Sequence, residues 1–583
     1  MRIEKIHITG FRNFDDEEIT LQPKTLIIGT NDIGKTNLLY ALRLLFDKAL
    51  NEHDLELMDS DYNAYSDADH IEITVTIKDV TEDCLLSVFG GAVKDGTVLI
   101  RYANSKNDSY KIFTGFSEET LNEQQGRYYI KRLNMQYVDT NRDLLSFLKR
   151  ERNQILIIAK EKRTPEIEQA DEEKTVDIQN SLNTINEKIN SLHYVADALG
   201  EVNKELAELS VHNEDQSVRF VAGDSSAEKL LDNLSLAYSS RTNPLAMGGD
   251  GRNNQIFLAT WIAKQNIQKN VDHVTIYAIE EPEAHLHPHQ QRKLSEYIQI
   301  NFNEQVFITS HSPHIASKFD PASMVRLYSV HKFTHAACGG CSQILKDTFD
   351  DFGYRLNVIS SETFFSDGVF LVEGTSEVIL YTALAHKVGI DLDRINMSIL
   401  SVEGVGFKPY VAICEALNIP WVLRTDNDIF SKPPKAPVKK YYAGVSRIMG
   451  ILEQINENLD ICKYWNEHSV ENEWPKDIDP PDEANKLNIY IKEESAKLGL
   501  FLADIDLEND LANGPMQDTL LRYYSKTSVS GLVSSMQKKK AENMLEFVTQ
   551  NQESLIQLSD DKIVAPLEML KQTIEERTHP SHD

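Results

Sequence analysis

Residues Gly29-Thr30-Asn31-Asp32-Ile33-Gly34-Lys35-Thr36 satisfy GxxxxGK[ST] in full. An apolar run, Leu26-Ile27-Ile28, leads in, and a helical pattern from Leu38 to Leu45 leads out. Strand, glycine-rich turn and helix together make the context of a phosphate-binding loop. The glycines let backbone N–H groups face phosphate oxygens without Cβ clashes, and the helix N-terminus adds a dipole favourable to anions. Gly29, Asn31 and Gly34 therefore belong to the nucleotide cradle. Lys35 is expected to reach the β- and γ-phosphates, and the Thr36 hydroxyl to ligate Mg²⁺.

The chain opens with alternating apolar residues, and Ile6-His7-Ile8-Thr9-Gly10-Phe11-Arg12-Asn13-Phe14 resembles the start of ATPases of the SMC/RecF/ABC type. Further strands are expected at 71–78, 97–102 and 128–139. Downstream, the apolar run from Val274 to Ile279 ends in Glu280-Glu281. Adjacent carboxylates at the end of a buried strand are costly unless a cation or water compensates them. Glu280 is thus assigned to Mg²⁺ and Glu281 to the attacking water. The resemblance supplies three further expectations. His311, after the run Val306–Thr309, corresponds to the switch histidine at the γ-phosphate. Gln136 is the candidate for the glutamine that senses that phosphate. Gly248-Gly249-Asp250-Gly251 has the layout of a signature loop that contacts the nucleotide of a second subunit. His285, His287 and His289 read as loop packing and dimer contacts. His331, His335, Cys338 and Cys341 have zinc-like spacing, but a turn at Gly339-Gly340 is the preferred reading.

A second constellation begins near residue 360. Val369–Val372 ends in Glu373-Gly374, with Glu377 four residues on. Ser398–Val402 precedes the glycine turn at Gly404, and Trp421–Thr425 ends in Asp426-Asn427-Asp428. In a parallel sheet the C-terminal strand ends share one edge. Glu373, Glu377, Asp426 and Asp428 would then converge and repel one another unless divalent cations fill the site. The ordered set Glu-Gly…Glu, Gly, Asp-x-Asp resembles the Toprim signature of topoisomerases, primases and some nucleases. Glu508 is a candidate to complete a metal shell. Lys540, with Lys538 as the alternative, is a candidate to face a scissile phosphate.

The expected organisation is α/β throughout. A P-loop ATPase head of the ABC/SMC type spans 1–149 and 241–350. A helical insertion spans 150–240, where apolar residues recur at Ile178, Leu182, Ile185, Ile189 and Leu192, and a Toprim domain with helical additions spans 351–583. The net charge of −30 argues against nucleic-acid binding over the whole surface and leaves room for a local groove. No run approaches the ~18 apolar residues of a membrane span. The five cysteines suit a reducing cytoplasm, and the N-terminus reads as strand rather than signal peptide.

An ABC-type head followed by Toprim resembles the overcoming-lysogenization-defect (OLD) nucleases over nearly the whole chain. Residues 30–47, TNDIGKTNLLYALRLLFD, look most like the nuclease subunit of Gabija-type antiphage systems. Nucleases of this class also occur as retron effectors. The resemblance implies an ATP-controlled endonuclease dependent on Mg²⁺ or Mn²⁺ and acting on double-stranded DNA. It also implies a homo-oligomer, dimer or tetramer, and an operon partner. That partner would be a UvrD-like helicase, or a retron reverse transcriptase with its msDNA. The competing reading is an SMC/RecF-like DNA-repair clamp with a non-cutting Toprim domain. A transporter ATPase leaves residues 360–583 unexplained. A primase or topoisomerase would polymerise or reseal where a nuclease hydrolyses.

Overall fold

The computed structural model describes residues 1–139, 156–157, 159–209, 217–221, 226–232, 238–240, 243–245, 259, 272–302, 304–352, 361–404, 406–431 and 438–578. By its internal contacts the chain divides into two units. One comprises Met1–Thr140, Asp272–Glu283 and Pro288–Asp583, the other Asn141–Val271 and Ala284–His287.

The first unit contains two six-stranded sheets in its N-terminal half. The antiparallel sheet runs Phe14–Thr20, Arg2–Phe11, His70–Lys78, Val98–Ser105, Asp108–Gly115 and Asn122–Gln124 in spatial order. In Arg2–Phe11 the residues Ile3, Ile6 and Ile8 are all fully buried. Strict alternation would put Ile3 and Ile6 on opposite faces, but the register shifts between Ile3 and Lys5 and restores the phase.

The second sheet runs Phe333–Ala336, Met324–Val330, Lys24–Ile28, Val306–Thr309, Val274–Glu280 and Leu133–Val138. All of its strands are parallel except the antiparallel edge strand Phe333–Ala336. Leu26, Ile27, Ile28, Phe307 and Ile308 are almost wholly buried, which is why these strands read as unbroken apolar runs. Helix Lys35–Phe46 contributes Leu38, Leu39, Leu42 and Leu45 to the one apolar core that both sheets share. The strand expected at 128–139 begins only at Leu133, because Tyr128–Lys131 forms a 3-10 turn.

A four-stranded parallel sheet follows, in the order Met397–Ser401, Gly368–Val372, Trp421–Thr425, Leu500–Leu502. Helices Thr375–Lys387, Leu507–Ala512, Val529–Met536, Lys540–Asn551 and Ala565–Thr578 pack a second core against it. A three-stranded antiparallel sheet, Ile429–Ser431, Lys439–Tyr442 and Glu473–Pro475, is inserted directly after Asp428.

The second unit holds helices Pro165–Asn190 and His193–Leu209. Leu182, Val195 and Leu199 are buried there, whereas Ile185 and Leu192 of the expected stripe lie about half exposed. The glycine loop at 248–251 lies outside the described residues. Among the described residues no helix is long and apolar enough to cross a membrane.

Candidate functional sites

The parallel strands of the ATPase half bring their C-terminal ends to one edge. Glu280 is level with Thr309, and Thr309 with Ile27, the second residue before Gly29. The loop that follows is tightly braced. Gly29 has φ 150°, and a Cβ there would sit 2.6 Å from the Leu327 carbonyl oxygen. Gly34 has φ 103°, and a Cβ there would strike the Asn13 amide at 2.2 Å. That amide donates to Ile33 O at 2.8 Å, and the Thr334 hydroxyl donates to the same oxygen at 2.8 Å.

Within the loop, Lys35 Nζ donates to Gly29 O at 2.9 Å and to Thr30 O at 2.6 Å. Burial pulls its pKa down to about 8, against the attraction of Glu281, Asp32, Glu283 and Glu280. Asn31 and Thr36 are exposed on the open side. Glu280 is almost buried, and Glu281 adopts φ 40°, an unusual backbone for a residue with a side chain. His311 Nε2 lies 3.4 Å from Glu281 Oε1. Burial and then the Lys35 charge lower the His311 pKa, which keeps the imidazole neutral near pH 7. Lys35, Glu280, Glu281 and His311 are thus gathered at one edge.

Gln136 is not brought there. It pairs with Tyr277, three residues before Glu280, which is about 10 Å back from the edge. Conversely, Glu283 received no role from the sequence, yet its Oε1 accepts from the Ser310 hydroxyl at 2.7 Å and the His311 N–H at 2.8 Å. It fixes the backbone from which His311 projects. The run Glu-Glu-Pro-Glu contained the signal.

The histidines and cysteines at 331–341 go separate ways. His335 pairs with Glu17 at 2.9 Å, Cys338 Sγ donates to Ala416 O at 3.0 Å, and Cys341 is buried beside Thr25. Gly339 and Gly340 form the expected turn with φ of 66° and 101°.

The second site lies at the C-terminal ends of Gly368–Val372 and Trp421–Thr425. Glu373 Oε1 accepts from Thr425 Oγ1 at 2.5 Å and from the Asp426 N–H at 2.9 Å. Gly404, in the turn after Met397–Ser401, donates its N–H to Glu373 O at 2.8 Å. Glu377, in the first turn of helix Thr375–Lys387, is buried and accepts from Ser376 Oγ at 2.8 Å. The Asp426-Asn427-Asp428 loop is pinned by Asn427 N–H to Ile505 O at 2.7 Å and Ala443 N–H to Asp428 O at 2.9 Å.

These contacts crowd carboxylates together. Burial, then Glu373 and Glu377, push the Asp426 pKa up to about 8, although Arg424 opposes them. Burial, Asp506 and Glu373 raise that of Asp428. Glu508 is buried, its pKa also raised by burial, and Lys540 Nζ stands 2.9 Å from its Oε2. Burial works against the Lys540 charge, but Glu508, Asp426 and Asp506 outweigh it and hold the ammonium above its ordinary range. Lys538 is exposed, so Lys540 is the lysine that faces the acids.

Sequence reasoning missed Arg447 of helix Ala443–Asn456, whose guanidinium meets Glu373 at 2.7 Å. It also missed the buried pair Arg424–Asp510 at 2.7 Å beneath the site. Among the described residues no three His, Cys, Asp or Glu side chains are already arranged to hold an ion. The donor set nevertheless fits a hard divalent cation, being all oxygen. Asp426 Oδ1 is buried with no hydrogen-bond partner among the described residues, an expensive state that a cation would relieve.

The fold and the two strand edges define a P-loop ATPase joined to a Toprim domain. The AAA ATPase domain family matches residues 1–143 and 99–316, and the overcoming-lysogenization-defect-protein-like TOPRIM domain matches residues 364–428. The chain belongs to the AAA ATPase domain family over its N-terminal half and carries an OLD-like TOPRIM domain after it. It is 27% identical to "Endonuclease GajA" of Bacillus cereus over 94% of this chain and 95% of that one. It is 21% identical to "OLD nuclease" of Thermus scotoductus over 73% of this chain and 82% of that one. It is 23% identical to "Old nuclease" of Escherichia phage P2 over 74% and 78%.

Proposed function

We propose that this chain is an ATP-regulated, divalent-metal-dependent endonuclease that nicks or cuts double-stranded DNA and serves in antiphage defence. The observation that carries the reading is the junction of two strand ends, where Glu373 Oε1 is tied to the Asp426 N–H at 2.9 Å while Asp426 Oδ1 is buried with no hydrogen-bond partner among the described residues. Glu373, Glu377, Asp426, Asp428 and Glu508 would hold Mg²⁺ or Mn²⁺. Bound there, the ions would activate a water and stabilise the leaving oxygen of a phosphodiester. Lys540 supplies a positive charge beside Asp426 and Glu508 for the transferring phosphate.

In the ATPase half, Lys35, now bonded to the Gly29 and Thr30 carbonyls, would hold the nucleotide's phosphates, and Thr36 and Glu280 would hold its Mg²⁺. Neutral His311 and Glu281, 3.4 Å apart, are placed to orient a water at the γ-phosphate. Nucleotide occupancy then governs access of DNA to the Toprim edge. The exposed apolar residues Ile167, Val176 and Ile185 on helix Pro165–Asn190 support a homo-oligomer, dimer or tetramer, formed partly through the insertion. Five free cysteines accord with a cytoplasmic setting. A helicase or a reverse transcriptase encoded beside it remains the proposed operon partner.

Supercoiled plasmid incubated with Mg²⁺ or Mn²⁺, with and without ATP, tests this reading. Metal-dependent nicks that vanish in Glu377→Gln and respond to nucleotide except in Lys35→Ala are expected. DNA binding without nicks under any metal would overturn it in favour of the non-cutting clamp.

A further inference from the structure

Arg447 occupies an unusual position among the Toprim acids. A single nitrogen, Nη1, donates to Glu373 Oε1 at 2.7 Å, to Asp426 O at 3.2 Å and to the Thr425 hydroxyl oxygen. The Thr425 hydroxyl donates in turn to the same Glu373 oxygen. One cationic nitrogen is therefore ringed by three oxygens drawn from two strand ends, an arrangement that resembles the oxygen cage of a cation site.

The helix carrying Arg447 is seated hard against this loop. A Cβ at Gly444 would lie 2.5 Å from Asp426 O. The approach is thus built into the packing of Ala443–Asn456, and Arg447 is only 11% exposed. All three contacts use Nη1, whereas a guanidinium offers five N–H donors in a planar fork suited to phosphate.

One positive charge cannot balance the acids assembled here. Lys540 is paired with Glu508 at 2.9 Å and the buried Arg424 with Asp510 at 2.7 Å, so both reach Asp426 only through space. That leaves Arg447 as the cation at the Glu373–Asp426 junction, and Asp426 still has a buried oxygen unmatched.

We propose that Arg447 is the resting counter-ion of the Toprim acids, seated where a divalent cation needs Glu373, and that it gives up this place on metal loading to engage the DNA phosphate. The inference rests on the reading of this edge as a metal-dependent phosphodiester site. Arg447 is on this account a positioning residue that competes with the metal before it assists the substrate. A purely structural brace would do the opposite, since its loss would let the acids spread and weaken metal binding.

Mn²⁺ binding to the full chain, without nucleotide or DNA, separates the two by the resonance signal of free Mn²⁺. Arg447→Met is expected to bind Mn²⁺ more tightly, by roughly tenfold, equivalent to about 1.4 kcal/mol. Arg447→Lys, which keeps a charge, should stay near the parent. With saturating Mn²⁺, Arg447→Met should show a raised KM for DNA that Arg447→Lys restores in part. Equal or weaker Mn²⁺ binding by Arg447→Met overturns the proposal, and Arg447→Gln, uncharged but polar, decides it if the methionine variant does not fold. Glu377→Gln separates the two levels of failure. If the parent has no Mn²⁺ site sensitive to Glu377→Gln, the nuclease reading falls and this inference with it. If that site exists but is not tightened by removing Arg447, the displacement idea alone falls.

Discussion

Ile28, the last residue before the phosphate-binding glycine, is paired across the sheet with Arg326. Arg326 is 2% exposed, and its guanidinium donates to the carbonyls of Phe364 at 3.0 Å, Ser366 at 2.8 Å and Leu417 at 3.0 Å. Phe364 and Ser366 lead into strand Gly368–Val372, which is followed directly by Glu373. The next residue, Leu327, places its carbonyl directly against Gly29. A rigid strand thus touches the nucleotide loop through its backbone and the Toprim domain through one side chain.

Arg326→Met should remove all three bonds and leave three buried carbonyls unsatisfied. The expected loss of stability is about 3 kcal/mol or more, read as a lowered thermal midpoint. Nucleotide affinity should be retained, because no phosphate ligand is altered, while the response of DNA cutting to ATP is lost. A variant that keeps the full ATP response would place the coupling elsewhere.

Lys35 provides a pH test of the nucleotide site. Its pKa in the free protein is pulled down to about 8 by burial, well below the value of an exposed lysine. Phosphates bound beside it favour the charged form and raise that pKa. Between the free and bound values, binding takes up a proton, so affinity should fall as pH rises above about 8, by up to tenfold per unit. Calorimetric titration of a non-hydrolysable ATP analogue from pH 7 to 9.5, in buffers of different ionisation enthalpy, measures both effects. A pH-independent affinity would show that Lys35 does not meet the phosphates.

Asp426 gives the same direction in stability, at lower pH. Its pKa is pushed up to about 8, chiefly by burial and by Glu373, against about 3.9 in an unfolded chain. Between those values the folded state binds more protons than the unfolded state. Metal-free stability should therefore decline as pH rises from about 4 toward 8. Asp426→Asn should flatten that decline and abolish cutting, since the amide keeps the shape and loses the charge that grips a cation. Thermal melts in chelator from pH 5 to 9 are the measurement, and an unaltered slope would assign the titration to another group.

What could be read from the sequence follows how far each contact lies along the chain. The phosphate loop, the Glu280-Glu281 pair and Asp426-x-Asp428 are contiguous, so local pattern placed them at strand ends. Parallel register is a tertiary property that local pattern does not encode, and it pairs Gln136 with Tyr277, short of the edge. Arg447 lies 74 residues from Glu373 on an amphipathic helix, where an arginine ordinarily reads as solvated. Arg326 sits inside an apolar strand with no local partner to betray its role. The phase of Arg2–Phe11 depends on a bulge that alternation alone does not encode.

Lys540 and Glu508 allow structure and chemistry to be separated. Glu508 is 1% exposed and has the ammonium 2.9 Å away, while Lys540 remains 41% exposed. Lys540→Met should leave a buried carboxylate without its cation and cost about 1–3 kcal/mol of stability. The neighbouring Asp506 adds to that cost by repelling Glu508. Combining it with Glu508→Gln removes the stranded charge and should recover most of the loss, as a double-mutant cycle in chemical denaturant would report. Cutting should not recover, because the charge that faces a transferring phosphate and one of the proposed metal-holding carboxylates are both missing. If the double variant cuts DNA as well as the parent, Lys540 serves only to neutralise Glu508, and the source of positive charge at the phosphate must be sought in Arg447.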